Sequence, residues 1–281
     1  MTLQEALRYG RSRLQAASPT PELDARLLLQ HVLQVSHVYL IAHRDEPLTP
    51  AQAAAYEQLL ARARQHEPVP YLTGTAPFYG HDFVVTPAVL IPRPETELLV
   101  ARAVDWARGR PAPRVVDVGT GSGCIAISLA LALPRAAVTA VDASAAALQV
   151  AAQNVARLAA GRVRLLQGDL LSPLPHAVDL IVANLPYVTD EEWTGLDDGV
   201  KLFEPAVALK GGQDGLDLIG QLLQQATAKL TPGGAIFLEI GWRQGQAARR
   251  LALTHFPSAE VRVFPDDAGH DRIVMVQNSF V

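Results

Sequence analysis

Asn184 is the first residue whose surroundings could do chemistry, in the stretch Asp179-Leu-Ile-Val-Ala-Asn-Leu-Pro-Tyr187. The apolar run before it is short, carries no charge after Asp179 and includes Ile181 and Val182, so it reads as a buried strand. Pro186 has no N–H to give to a sheet ladder, which ends the strand there. Open α/β sheets bind ligands at the carboxyl ends of their strands, so an amide side chain at this edge is well placed. The plain structural account of the same residues is an Asn-x-Pro turn with Asn184 as its cap. The rest of the chain decides between the two.

A second candidate is Gly119-Thr120-Gly121-Ser122-Gly123, between the strand-like Arg114-Val-Val-Asp117-Val118 and an apolar helix from Cys124 to Leu133. Glycines in that position permit a tight turn and close backbone approach, and the helix amides favour a negative group. Asp142 ends the next strand, where an acid accepts hydrogen bonds from a ribose diol. Asp169, followed by Leu170, ends the third and is placed to hold a base edge. Two acids at successive strand ends beside the glycines point to an adenosine-type cofactor rather than a structural turn. The loop lacks Gly-x-x-x-x-Gly-Lys, which argues against nucleotide hydrolysis.

These residues need a scaffold, and the pattern supplies one. From Arg114 onward strands and helices alternate: strands over residues 114–118, 137–142, 163–169, 180–183 and 235–240, and helices over 124–133, 145–158, 216–230 and 244–255. Alternation of this kind predicts an α/β fold with a parallel sheet and right-handed crossovers. Two closing strands, 260–264 and 272–276, have too short a connection to be parallel, so one is antiparallel. Ahead of this, residues 1–66 read as about four short helices. Thr2-x-x-Glu5 and Thr49-x-x-Gln52 fit capping boxes, Thr20-Pro21 fits an N-cap with proline behind it, and Leu23, Leu27, Leu28 and Val32 fall at helical spacing. Residues 67–97, rich in Pro and Gly, read as a linker with a β-hairpin whose turn is Gly80-His81 or Gly74-Thr75. Glu95 and Glu97 suit the positive end of the helix that starts at Pro94. The expected domains are thus 1–66, 67–97 and 98–281.

Composition narrows the classes of function. The 281 residues carry a net charge of −4 and no dense Lys/Arg run, which lowers the expectation of a stable nucleic-acid partner. No apolar run spans a bilayer and Met-Thr-Leu-Gln-Glu-Ala has no signal-peptide character, so a cytoplasmic protein without a membrane partner is expected. A single cysteine, Cys124, excludes an internal disulfide framework, and His31, His37, His43 and His66 share no ligand spacing, so no metal is expected.

The strand count and Asn-x-Pro-Tyr favour S-adenosyl-L-methionine over a dinucleotide, and several motifs support this. Asp117-Val-Gly-Thr-Gly-Ser-Gly-Cys-Ile-Ala-Ile127 resembles the methionine-binding motif of class I methyltransferases, and Asn184-Leu-Pro-Tyr187 is similar to the (Asn/Asp)-Pro-Pro-Tyr motif of those that methylate planar nitrogen. Pro70-Tyr-Leu-x-Gly74, Phe78-Tyr-Gly80, Val89-Leu-Ile-Pro-Arg-Pro-Glu-Thr-Glu97, Gly211-Gly-x-Asp-Gly-Leu216, Leu238-Glu-Ile-Gly241 with Gln244, and Gly269-His-Asp-Arg272 together resemble the PrmC/HemK family. Leu23-Asp-Ala-Arg-Leu-Leu-Leu29 adds a weaker similarity in the helical region.

The resemblance implies a Rossmann-like seven-stranded class I methyltransferase sheet, its last strand antiparallel, beside a small N-terminal helical bundle that docks the substrate. It implies methyl transfer from S-adenosyl-L-methionine, leaving S-adenosyl-L-homocysteine, to the glutamine of the Gly-Gly-Gln motif in class 1 peptide chain release factors, release factor 1 and release factor 2. The expected cofactor residues are Gly119, Thr120, Gly121, Ser122, Gly123, Asp142, Asp169, Leu170 and Asn184. The expected catalytic and substrate-binding residues are Asn184, Leu185, Pro186 and Tyr187, in a monomer. Leu185 stands where the family usually has proline. Asn-Leu-Pro-Tyr also resembles ribosomal RNA adenine dimethyltransferases, so an adenine N6-methyltransferase acting on RNA or DNA is the alternative. A cofactor-binding docking module without catalysis is the other. Gly211-Gly-Gln213 spells the release-factor tripeptide, but it sits in a Gly-Gly-x-Asp-Gly segment of the enzyme, so Gln213 is not read as a substrate.

Overall fold

The computed structural model describes residues 1–279, which divide into two compact units. The first comprises Met1–Thr75 and the returning segment Asp197–Glu204. It holds α1 (Leu3–Leu14), α2 (Pro21–Leu33), α3 (His37–Ala42), α4 (Pro50–Ala63) and the short α5 (Val69–Thr73). Both expected capping boxes form: Thr2 and Glu5, and Thr49 and Gln52, exchange side-chain and backbone hydrogen bonds at the helix starts. Thr20 does stand at the N-cap of α2 ahead of proline, but its side chain makes no cap bond and its hydroxyl lies 3.4 Å from Asp24 Oδ1 instead. The buried face of α2 is Ala25, Leu28 and Leu29; Leu23 and Leu27 are exposed. Tyr56 fills the bundle centre and donates to the Ala25 carbonyl at 3.0 Å. A Cβ on Gly10 would meet its hydroxyl at 2.0 Å, so only glycine fits there.

The second unit, Ala76–Leu196 and Pro205–Val281, carries the chemistry. Strands β1 (Thr75–Phe78) and β2 (His81–Val84) form the linker hairpin. Its turn is Tyr79-Gly80, both at positive φ, the signature of a two-residue turn matched to strand twist. After α6 (Pro94–Ala107) come β3 (Arg114–Val118), α7 (Cys124–Ala132), β4 (Ala137–Asp142), α8 (Ala145–Leu158), β5 (Val163–Gln167) and β6 (Val178–Ala183). The chain then passes through β7 (Val188–Thr189), α9 (Asp190–Gly195), α10 (Asp198–Phe203, counted with the first unit), a 3₁₀ turn at Ala206–Ala208 and β8 (Lys210–Gly212). It ends with α11 (Asp217–Ala226), β9 (Leu230–Glu239), α12 (Gly245–His255), β10 (Glu260–Pro265) and β11 (Asp271–Gln277).

Seven strands form one sheet in the order β10-β11-β9-β6-β3-β4-β5. β3, β4, β5, β6 and β9 pair in parallel, and β11 runs antiparallel to both β9 and β10, so the antiparallel member is the last strand. On β6, Leu180 and Val182 enter one core cluster with α6 and α7, while Ile181 and Ala183 enter the other with α11 and α12. Burial on both faces explains why this strand reads as a continuous apolar run. No helix among the described residues is long and apolar enough to cross a membrane.

The hairpin is fastened by Asn154 on α8, which is fully buried. Its Oδ1 accepts from Val84 N at 2.7 Å, and its Nδ2 donates to the carbonyls of Val84 and Ser122, both at 2.9 Å. One side chain thus ties β2 to the glycine loop. Asn154→Ala leaves three backbone groups without their partner and is expected to cost about 2–4 kcal/mol of unfolding free energy, measured by urea denaturation.

Candidate active site

The strand order switches between β3 and β6: the chain builds outward through β4 and β5, then returns to the other side of β3. Such a switch point is where an open α/β sheet forms its ligand crevice. Register makes the placement specific. Val118 pairs with Ala183, Ala183 with Leu238, and Val118 with Val141. The next residue on each strand is therefore Gly119, Asn184, Glu239 and Asp142, one row along the carboxyl edge.

A cleft of about 270 Å³ opens above this row, between the glycine loop, the ends of β4, β5 and β6, and the segment before α6. Gly119, Thr120, Gly121 and Ser122 line it, as do Asp142, Asp169, Leu170, Asn184, Leu185 and Pro186. Two expected residues do not. Gly123 caps α7 at φ 83°, and a Cβ there would press on Ile127 and Ala151, so it serves helix packing. Tyr187 is half-buried beside the cleft with its hydroxyl 3.1 Å from Glu239 Oε1.

Local hydrogen bonds shape the loop. Gly119 N and Thr120 N donate to the Val141 carbonyl at 2.9 and 3.0 Å. Asp142 receives Gly121 N on Oδ2 at 2.9 Å and Ser144 N on Oδ1 at 2.8 Å, which leaves lone pairs on both oxygens for further donors. Gly121 has φ 54° and open space where a Cβ would stand. The Thr120 hydroxyl is committed to Asp117 Oδ2 at 2.6 Å, which also takes Ala126 N at 3.1 Å. Asp117 is wholly buried; desolvation pushes its carboxyl up to about 7, against the pull of those hydrogen bonds.

The Asn-Leu-Pro-Tyr turn is braced from behind. Leu185 is 4% exposed, within the core and above Gly119, where a Cβ would lie 3.1 Å from its Cδ2. Leu185 therefore packs inward. β7 and β8 pair in parallel, which brings Gly211 and Gly215 onto the backbone of the turn. A Cβ on Gly211 would meet the Pro186 carbonyl at 2.6 Å, and one on Gly215 the Tyr187 carbonyl at 2.1 Å. Gln244 Nε2 donates to the carbonyls of Tyr187 and Asp214 at 2.9 and 3.0 Å, while its Oε1 accepts from Gly241 N at 2.7 Å.

Asn184 itself is held through Thr96. Its Nδ2 donates to Thr96 Oγ1 at 3.1 Å, and Thr96 Oγ1 donates to Glu239 Oε2 at 2.7 Å. Burial pushes the Glu239 carboxyl up, while the hydroxyls of Thr96 and Tyr187 and the charge of Arg272 pull it down. Arg272 is in turn paired with Asp266 at 3.0 Å. Thr96, Glu239 and Gln244 were not among the expected site residues. Their signal in the sequence was Glu-Thr-Glu97 and Leu238-Glu-Ile-Gly241, which carried a resemblance but no role.

Residues 5–74 match the PrmC N-terminal domain and residues 95–261 the methyltransferase small domain. The release factor glutamine methyltransferase of Bordetella pertussis is 50% identical over 255 residues, 90% of this chain and 93% of that one. That of Koribacter versatilis is 42% identical over 98% of each chain. The chain belongs to the release factor glutamine methyltransferase family. A methyltransferase from Pyrococcus furiosus shares the fold at 18% identity, with a TM-score of 0.54 over 72% of this chain and 91% of that one. This family therefore presents a class I methyltransferase sheet with S-adenosyl-L-methionine-dependent chemistry, and the residues of the cleft fit such a cofactor: an open glycine cradle at Gly121 and a carboxylate at Asp142 with unused lone pairs.

Two outcomes test this description. Gly215→Ala, with a backbone carbonyl in the way, is expected to destabilise the protein by more than about 2 kcal/mol, whereas Gly121→Ala meets only the left-handed backbone cost of about 1–2 kcal/mol; denaturant titration of both compares them. Asp117 holds its proton to higher pH in the folded than in the unfolded chain, whose value is 3.8. Its contribution to stability is thus full below about pH 4 and is lost as pH rises through about 7. Asp117→Asn is expected to remove that slope from urea titrations run across this range.

Proposed function

We propose that this protein transfers a methyl group from S-adenosyl-L-methionine to the side-chain amide nitrogen of the glutamine in the Gly-Gly-Gln motif of class 1 release factors. The observation that carries this is the register row that sets Asn184 beside Gly119, so that an acceptor at the turn and a cofactor over the glycine loop share one cleft.

The cofactor, when bound, supplies an electrophilic methyl on a sulfonium. The Asp142 carboxylate is assigned to a ribose diol through its unused lone pairs, and Asp169 and Leu170 to the base. Gly119, Gly121 and Ser122 give the close backbone approach that the methionine part requires. An amide nitrogen is a weak nucleophile because its lone pair is delocalised, so the protein's task is orientation. Asn184 Oδ1 and the Leu185 carbonyl accept from the two N–H groups of the acceptor, which favours positive charge developing on that nitrogen. The backbone carbonyl is the same whether residue 185 is Leu or Pro. Pro186 fixes φ in the turn, and Tyr187, anchored at its hydroxyl, is assigned to stack its ring on the flat amide. No base need act beforehand, because the proton becomes acidic only as nitrogen takes on the methyl.

The helical residues 1–66 are assigned to docking the release factor and residues 98–281 to catalysis, with 67–97 joining them. Release factors 1 and 2 are the proposed acceptors, in the cytoplasm and with the enzyme as a monomer.

Transfer of labelled methyl to purified release factor, compared with ribosomal RNA and DNA, tests the reading; label confined to nucleic acid overturns it. Asn184→Ala is expected to lower kcat at least about 100-fold, in line with loss of an oriented acceptor contact, with cofactor Kd little changed. Asp142→Ala should do the reverse and weaken cofactor binding, measured by calorimetry, by about tenfold or more for a lost charge-assisted contact.

A further inference from the structure

Asn184 ends in an oxygen and an NH₂ of nearly equal size, and only one orientation suits an acceptor that brings N–H groups. Within the reading proposed above, the oxygen must face the cleft. Nothing in Asn184 itself makes that choice. Among the described residues its side chain bonds to Thr96 Oγ1, 3.1 Å from Nδ2, and that hydroxyl lies 2.7 Å from Glu239 Oε2. Thr96 and Glu239 are 2% and 1% exposed, so water does not compete for these bonds.

We infer that Thr96 and Glu239 are positioning residues that fix which end of the Asn184 amide faces the acceptor. The Thr96 hydroxyl donates to Glu239 Oε2, so its single proton is committed to the acid. Thr96 oxygen can then only accept from Asn184, and Nδ2 must turn towards it. Oδ1 is left for the cleft. The direction of the whole chain of bonds is read outward from the buried acid. The other carboxylate oxygen takes the Tyr187 hydroxyl at 3.1 Å, so the same acid holds both ends of the turn. Glu97, one residue from Thr96, is occupied elsewhere, with Oε1 accepting from Tyr79 N at 2.8 Å. The same two positions thus link the first turn of α6 and the end of β9 to the residue after β6, which neither adjoins in sequence.

Thr96→Val keeps the shape and removes the hydroxyl, Thr96→Ser keeps the hydroxyl, and Glu239→Gln keeps the size while presenting a donor. Methyl transfer to release factor, cofactor Kd by calorimetry and thermal unfolding are measured for all three and for the wild type. Thr96→Val and Glu239→Gln are expected to lower kcat/KM by about 10–100-fold, the effect of one misdirected buried hydrogen bond. Cofactor Kd should stay within about threefold, and Thr96→Ser should recover most of the rate. A folded Thr96→Val that binds cofactor and turns over like wild type overturns the inference. So does a Thr96→Ser as impaired as Thr96→Val, which would make packing the cause. If Glu239→Gln fails to fold, the Val and Ser pair still decides. A wild type that methylates no release factor would instead remove the underlying reading, so the two failures are distinct.

Discussion

The parallel register of β3, β6 and β9 is the constraint on which the site depends. Val118, Ala183 and Leu238 lie side by side, so the residues that follow them emerge together at one edge of the sheet. Because side chains alternate along a strand, a shift of one residue on β6 would exchange Ala183 and Val182 between the two cores and carry Asn184 to the other face. The apolar residues that make β6 a buried strand therefore also fix where its amide points. Hydrophobic burial on both faces is what holds the chemistry in place.

Close packing does the rest of the positioning. The Asn-Leu-Pro-Tyr turn has Leu185 in the core beneath it and two glycines, Gly211 and Gly215, against its backbone. Gln244 then bonds to the Tyr187 and Asp214 carbonyls and so staples turn and glycine segment together. A turn held this way on several sides loses little conformational freedom when an acceptor arrives, which favours orientation as the main source of rate.

Two buried carboxyls sit below the cleft, and both are held against the cost of burial by hydroxyl donors. Asp117 receives Thr120 and the start of α7, and Glu239 receives Thr96 and Tyr187. Each acid stiffens one lip of the cleft: the glycine loop on one side, the acceptor turn on the other. Burial raises both carboxyls and these donors pull them back down, so each acid organises the hydroxyls bonded to it.

Much of this was legible in the sequence. Alternating apolar segments gave the α/β order, the short final connection required an antiparallel strand, and Thr-x-x-Glu and Thr-x-x-Gln marked two helix starts, because periodicity and capping are local properties. Gly119, Asp142 and Asn184 were readable as strand-end residues for the same reason. What the sequence could not convey was who meets whom. Thr96 reaches Asn184 across 88 residues and Glu239 across 143. Leu23 and Leu27 have the spacing of a buried stripe yet are exposed, since the face α2 buries is set by its neighbours. Thr20 sits at a cap position without capping, because its hydroxyl is drawn to Asp24. Local pattern determined which elements form and which residues end them. Only the tertiary packing decided that a threonine in the first turn of α6 and an acid ending β9 stand behind the amide of Asn184, because hydrogen-bond partners so far apart in sequence are selected by sheet order and register.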